Sequence, residues 1–322
     1  MVSRHWNSVL IGTSAVGLLT GCAAAASDSM APVMSGSGKG FQAFPIDSNS
    51  DQLRLAGTLR GRLVKILVDT GLDPSGIELD LAREVGIKFD EAKRVQLSGV
   101  GDSATYGYTA VIDGVTVAGE SLEPLEAIAD PGPVFKGSDP GRAFDLILGY
   151  NYLKSRVVMI DYPAKQFIRL TSPAAAKPLV IGCATSHVVP LIFEEGDTIP
   201  IVTDFRIGDF KGKASLDTGS SVYTSLSKKL VPQALQSTFR AGGVQTVTGA
   251  RGKIDLPLFK VDQPIGFGPF SAAGQTTLLM DRGPTERRVA NFGNKLLKTL
   301  GLKVLLDYPG KQVHFYGNCK AG

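Results

Sequence analysis

Val68-Asp69-Thr70-Gly71 returns 148 residues later as Leu216-Asp217-Thr218-Gly219. One Asp-Thr-Gly says little, because each of its residues makes up several per cent of any ordinary chain. The second copy does not stand alone. Asp161-Tyr162-Pro163-Ala164-Lys165-Gln166 recurs as Asp307-Tyr308-Pro309-Gly310-Lys311-Gln312, at an offset of 146. Between these markers, Leu148-Gly149-Tyr150-Asn151-Tyr152-Leu153 is answered by Phe292-Gly293-Asn294-Lys295-Leu296-Leu297, at an offset of 144. Three markers in one order at one period are an internal duplication, and two copies of this length make two lobes rather than a solenoid.

The chain of 322 residues is long enough for two such lobes, each with its own core. With 43% hydrophobic and 20% charged residues it reads as globular. The net charge of +4 is scattered, and the pairs Lys228-Lys229 and Arg287-Arg288 stand alone, as on a solvated surface rather than a nucleic-acid face. Gly99-Val100-Gly101 and Gly266-Phe267-Gly268 fall outside any βαβ pattern, which argues against a bound nucleotide. Of three His, His187 and His314 lie in strand-like runs, and neither a His-Glu-x-x-His nor a Gly-x-Ser-x-Gly is present. No cofactor and no metal is expected.

Short β-branched and apolar runs bounded by Gly and Pro dominate, so the fold expected is mainly β with few, short helices. The first lobe is expected over 44–170. In it Arg60-Gly61 turns Leu53–Leu59 into Arg62–Val68, which ends at Asp69, and Asp80–Val85 has helical composition with Gly86 as its stop. Asp130-Pro131-Gly132-Pro133 and Gly137–Gly141 punctuate a long loop in which no helix is expected. A linker follows over 171–180, rich in Ala and Pro, and the second lobe over 181–322 repeats the plan. At the N-terminus, residues 1–21 carry a short basic start, an apolar run from Val9 to Leu19 too short to span a bilayer, and a small-residue site, the pattern of a signal peptide. Residues 22–43, mostly Ala, Ser, Gly and Met through Gly40, are expected to form a flexible tether.

The duplicated Asp-Thr-Gly and the later Ile147-Leu148-Gly149 resemble the aspartic proteases, as a tandem pair of retropepsin-like β-barrel lobes. Asn291-Phe292-Gly293 fits the second signature loosely. The resemblance implies an endopeptidase with Asp69 and Asp217 as catalytic residues, and Thr70, Gly71, Thr218 and Gly219 as positioning residues. It also implies flaps over the substrate, carried by Gly99, Val100, Gly101 and Tyr106 in the first lobe and Thr248 and Gly249 in the second. Leu19-Thr20-Gly21-Cys22 resembles a bacterial lipobox, which implies lipidation at Cys22 and a protein anchored in the outer membrane, facing the periplasm. In such an oxidising compartment Cys183 and Cys319 are expected to be bonded. The partners expected are a peptide or protein substrate and the membrane, for a monomer with pseudo-twofold lobes.

Two carboxylates about 3 Å apart suit peptide hydrolysis because they share one proton, so that one activates water while the other polarises the carbonyl. The two loops match this pattern unequally. After Asp217-Thr218-Gly219 the hydroxyl of Ser221 comes two residues on; after Asp69-Thr70-Gly71 that place holds Asp73, and Ser75 follows later. Either the first loop bulges and Ser75 fills the role, or Asp73 sets a third carboxylate beside the pair. A proteolytically silent peptide-binding or scaffolding protein, lobes that pair only in a homodimer, and a secreted protein without the lipid are the alternatives.

Overall fold

The structure, a computed structural model, describes residue 34 and residues 36–136, 143–281 and 288–319. The expected signal peptide and Cys22 lie outside the described residues. The chain opens with β1 (Gly36–Gly38) and β2 (Phe41–Pro45), then β3 (Arg54–Leu59) and β4 (Arg62–Val68). The β3–β4 turn places Arg60 and Gly61 at φ 50° and 83°, the left-handed pair that matches strand twist in a two-residue hairpin. There follow β5 (Ser75–Glu78), α1 (Leu79–Glu84), β6 (Phe89–Gln96), β7 (Tyr106–Ile112), β8 (Val115–Val117), β9 (Glu120–Ser121) and β10 (Leu125–Asp130). Then come α2 (Pro133–Lys136), β11 (Leu146–Leu148), α3 (Tyr150–Leu153), β12 (Val157–Asp161) and β13 (Gln166–Leu170). A 3-10 turn at Pro173–Ala176 and α4 (Lys177–Val180) lead to the second half.

That half contains β14 (Cys183–Pro190), β15 (Ile201–Ile207), β16 (Phe210–Asp217), β17 (Thr224–Ser227), α5 (Gln233–Gln236), β18 (Arg240–Gly249) and β19 (Gly252–Val261). It closes with β20 (Ile265–Phe267), β21 (Phe270–Ala272), β22 (Gln275–Met280), β23 (Ala290–Gly293), α6 (Asn294–Thr299), β24 (Lys303–Asp307) and β25 (Gln312–Cys319). The first nine-stranded sheet runs β6-β7-β10-β5-β11-β4-β3-β8-β9 and the second β18-β19-β22-β17-β23-β16-β15-β20-β21, the same order strand for strand. The duplication in the sequence is therefore a duplication of topology. In each sheet two pairs are parallel, β4 with β11 and β5 with β10 in the first, β16 with β23 and β17 with β22 in the second. Along β4 the pattern changes from exposed to fully buried toward Val68, so Asp69 emerges at the buried end of a strand held on both sides.

A third sheet, β1-β2-β13-β12-β24-β25-β14, draws strands from both halves. At its centre β12 pairs antiparallel with β24, Val157 opposite Asp307, so backbone hydrogen bonds tie the lobes together. Met159, Ile168 and Leu305 are buried on this sheet with Ala43 from β2. Cys183 lies opposite Cys319 on β14 and β25, and the two are joined by a disulfide that closes a span of 136 residues.

Two local expectations need correction. Pairing begins at Gly36, where a tether was expected through residue 43, because β2 finds its partner in β13, more than a hundred residues on. Likewise the Pro- and Gly-rich stretch holds one helical turn, α2, which starts on Pro133; proline is tolerated at a first helical position, where its missing N–H has no partner to lose.

Candidate active site

The two Asp-Thr-Gly loops meet across the lobe interface within one chain. The Thr70 hydroxyl donates to the Leu216 carbonyl (2.7 Å) and accepts from the Thr218 amide (3.0 Å). The Thr218 hydroxyl donates to the Val68 carbonyl (2.7 Å) and accepts from the Thr70 amide (3.1 Å). All four bonds are buried, so each also removes the cost of an unmet polar group. A Cβ on Gly71 would stand 3.0 Å from the Asp217 carboxyl carbon, and one on Gly219 would stand 2.4 Å from a carboxylate oxygen of Asp69. Each glycine thus lies against the opposite lobe's carboxylate; at Gly219 the distance excludes any side chain, and at Gly71 a side chain would force the carboxylate to shift. Asp69 and Asp217 are 0% and 1% exposed.

The carboxylates are held by N–H donors. The Gly71 amide donates to Asp69 Oδ1 (2.7 Å), and the Ser220 amide to Asp217 Oδ1 (2.9 Å). Asp217 Oδ2 also accepts from Asn291 Nδ2 (2.8 Å), and Asn291 Oδ1 takes the Ser215 hydroxyl proton (2.7 Å), which fixes the amide's orientation. The first lobe has the apolar pair Ile147 and Leu67 at the matching register. Sequence reasoning missed Asn291, although the signal was present: it is the residue that made the second hydrophobic-Gly signature a loose fit. It also missed Gln52, whose side chain donates to the Gly219 carbonyl (2.7 Å) and accepts from Arg54.

Register fixes the length of the first loop. Ser75 begins β5 and Thr224 begins β17, at the same place in each sheet. Six residues lead from Asp69 to Ser75 and seven from Asp217 to Thr224, so the first loop is the shorter one and carries no insertion. The buried Ser75 hydroxyl donates to Asn151 Oδ1 (2.6 Å) and accepts from the Gly149 amide (3.1 Å), binding the loop to the start of α3. Asp73, half-buried and followed by a cis Pro74, is not among the residues that line the cavity. Ser221 sits nearly buried in the turn after Gly219.

Above the carboxylates the hairpins β6–β7 and β18–β19 touch tip to tip. The Arg251 amide donates to the Val100 carbonyl (3.0 Å), the Ser103 amide to the Arg251 carbonyl (3.0 Å), and Arg251 Nε to the Ser103 carbonyl (3.1 Å). Gly101, at φ 115°, and Gly249 permit this: a Cβ on either would come within 2.5 Å of a carbonyl oxygen of the other hairpin. Beneath lies a cavity of about 560 Å³, lined by Gly71, Asp217 and Asn291 below and by Gly99, Val100 and Gly101 above. Two expected flap residues belong to these hairpins but do not line the cavity. Tyr106 is on the outward face of β7, its ring 4.6 Å from the Arg94 guanidinium. Thr248 is buried within the hairpin and does not line the cavity. Among the described residues no three His, Cys, Asp or Glu side chains cluster as a metal site would require, and no helix is long and apolar enough to cross a membrane.

Residues 55–152 match a family model described as an aspartyl protease. No curated protein matches the chain. The crystal structure of basic 7S globulin from soybean aligns over 87% of this chain and 95% of its own, at 13% identity and a TM-score of 0.47.

Proposed function

We propose that this protein is an aspartic endopeptidase in which Asp69 and Asp217 activate one water for attack on a peptide bond. The observation that carries the reading is the reciprocal Thr70–Thr218 network, which sets two buried carboxylates on opposite sides of one pseudo-twofold interface. Like charges so placed hold a single proton between them. The proton belongs to the pair: the ionised member acts as general base on the water while the protonated member polarises the substrate carbonyl. Attack by the water gives a tetrahedral intermediate; its collapse breaks the C–N bond as the proton passes to the leaving nitrogen. Asn291 here is a positioning residue, acting through Asp217.

The same proposal places the protein in the cell envelope, lipidated at Cys22 and acting as a monomer on peptide or protein segments. The second reading, a catalytically silent peptide-binding or scaffolding protein, has one observation in its favour: the flap tips are bonded to each other across the cavity mouth. Purified protein incubated with a diverse peptide library from pH 3 to 8 separates the two. New termini favouring acidic to neutral pH are expected; retention of peptides without any new terminus would decide for the silent reading.

A further inference from the structure

The half-clefts on either side of the carboxylates differ in both floor and filling. In the first lobe the floor is Leu67, Gly76 and Ile147, with Ile147 opposite both of the others on β4 and β5. In the second lobe the same register brings together Ser215, Ser225 and Asn291, with Asn291 opposite both. One floor is apolar and the other carries two hydroxyls and an amide.

What lies on each floor differs accordingly. The connection from β10 to β11 occupies residues 131–145, and that from β22 to β23 only 281–289. The longer one supplies Val134, Phe135 and Phe144, all buried and packed with Leu67 and Ile147. The Phe135 and Phe144 rings are 5.5 Å apart, and the Arg54 guanidinium lies 5.4 Å from the Phe144 ring. This cluster reaches Ala250 at the tip of the opposite hairpin, and α2 packs on β18 and β19. The first half-cleft is therefore filled by the chain's own aromatic side chains. The second floor faces the cavity instead: Ser215, Ser225 and Asn291 all line it, beneath walls that include Ile254, Leu256 and Leu279.

We infer that the substrate of the peptidase proposed above has a small residue, Gly, Ala or Ser, on the first-lobe side of the scissile bond and a neutral hydrogen-bonding side chain on an apolar stem, such as Gln or Tyr, on the second-lobe side. Phe135 and Phe144 occupy the space a larger side chain would need on the first side. On the second, Ser225 is 4% exposed and its hydroxyl makes no hydrogen bond to another described residue, so it is available as donor and acceptor. An aliphatic side chain there would leave the Ser225 hydroxyl unmet, and an unmet buried polar group is a strong source of discrimination. A carboxylate would face the charge of Asp217 behind Asn291. Lys228 at the cavity wall is paired with Asp281 (3.0 Å) and adds no strong net charge.

The test uses uncleavable hydroxyethylene dipeptide isosteres, made in both side-chain orders and titrated into the full-length protein by calorimetry. In one order, the Ala/Gln isostere is expected to bind at least tenfold tighter than Phe/Gln or Ala/Leu. Phe135→Ala should recover at least tenfold for Phe/Gln and leave the Ala/Gln preference over Ala/Leu intact, while Ser225→Val should reverse that preference. Urea midpoints report folding, and if Phe135→Ala unfolds, Phe135→Leu should still recover about threefold. Equal wild-type affinity for Phe/Gln and Ala/Gln, or no recovery in the Phe135 variants, overturns the inference. Discrimination without cleavage of any peptide overturns the catalytic reading alone; cleavage without discrimination overturns this inference alone. Failure of every isostere to bind overturns both.

Discussion

Replacing Thr218 with Val keeps the shape of the side chain and removes its hydroxyl. Two buried bonds vanish, to the Val68 carbonyl and from the Thr70 amide. Each group left without a partner costs about 1–3 kcal/mol, so the variant should lose about 2–6 kcal/mol of stability, a large share of the margin of an ordinary domain. Thr70→Val removes the other two bonds, to the Leu216 carbonyl and from the Thr218 amide, and should cost a similar amount. Because the four bonds lie within one small cluster, the double variant should depart from the sum of the singles by about 0.5–3 kcal/mol. Urea denaturation followed by circular dichroism measures all three, with the slope of each transition checked for two-state behaviour. Losses under about 0.5 kcal/mol in both single variants would refute the argument, since the loops would then be held together by something other than this network.

Asp130 supplies a pH prediction: burial pushes its carboxyl up to about 7, with a smaller push from Glu78, while the Gly132 amide pulls the other way. The folded protein thus keeps a proton between about pH 4 and 7 that the unfolded chain releases, so stability falls as pH rises through that window, by about 4 kcal/mol. Asp130→Asn should flatten this slope in denaturation curves taken from pH 4 to 8; an unchanged slope would place its origin elsewhere. Replacing Cys183 and Cys319 with Ala should cost about 2–5 kcal/mol, and thermal melts of that variant should be insensitive to reductant while the wild type shifts. Asn291→Leu removes a charge-assisted bond worth about 1.5–3 kcal/mol, so the acidic limb of the pH–rate profile should move to higher pH, with kcat falling more than KM changes. Asn291→Gln should restore part of the profile, and a variant that alters KM alone would show that Asn291 only shapes the pocket.

The architecture was legible because duplication leaves marks that survive divergence: two Asp-Thr-Gly loops, two Asp-Tyr-Pro turns, and hairpins punctuated by Gly. These are constraints on local backbone, and local backbone is what sequence patterns report. Contacts between distant segments were much less visible. That β2 joins β13, that Arg251 bonds Val100, and that Phe135 covers Leu67 depend on the closing of each sheet, which no local period encodes. Counting outward from Gly71 left the role of Ser75 open, whereas the pairing of β5 fixes its place in the sheet. Tyr106 belongs to the flap hairpin but faces outward, because side chains alternate between the faces of a strand and composition does not say which face is inside. Asn291 stood in plain view as a mismatch between the copies, and the mismatch marked the side chain that donates to Asp217.

The central claim is that Asp69 and Asp217 act as one unit on a peptide bond. It is tested most directly by kcat/KM on a single cleaved peptide for the wild type, Asp69→Asn, Asp217→Asn and the double variant, each shown to be folded. If the pair works as a unit, either single change should lower the rate by about 10³-fold or more and the double change should add little, as for other groups that act together. Losses that simply multiply in the double variant, or activity that survives Asp217→Asn, would contradict it.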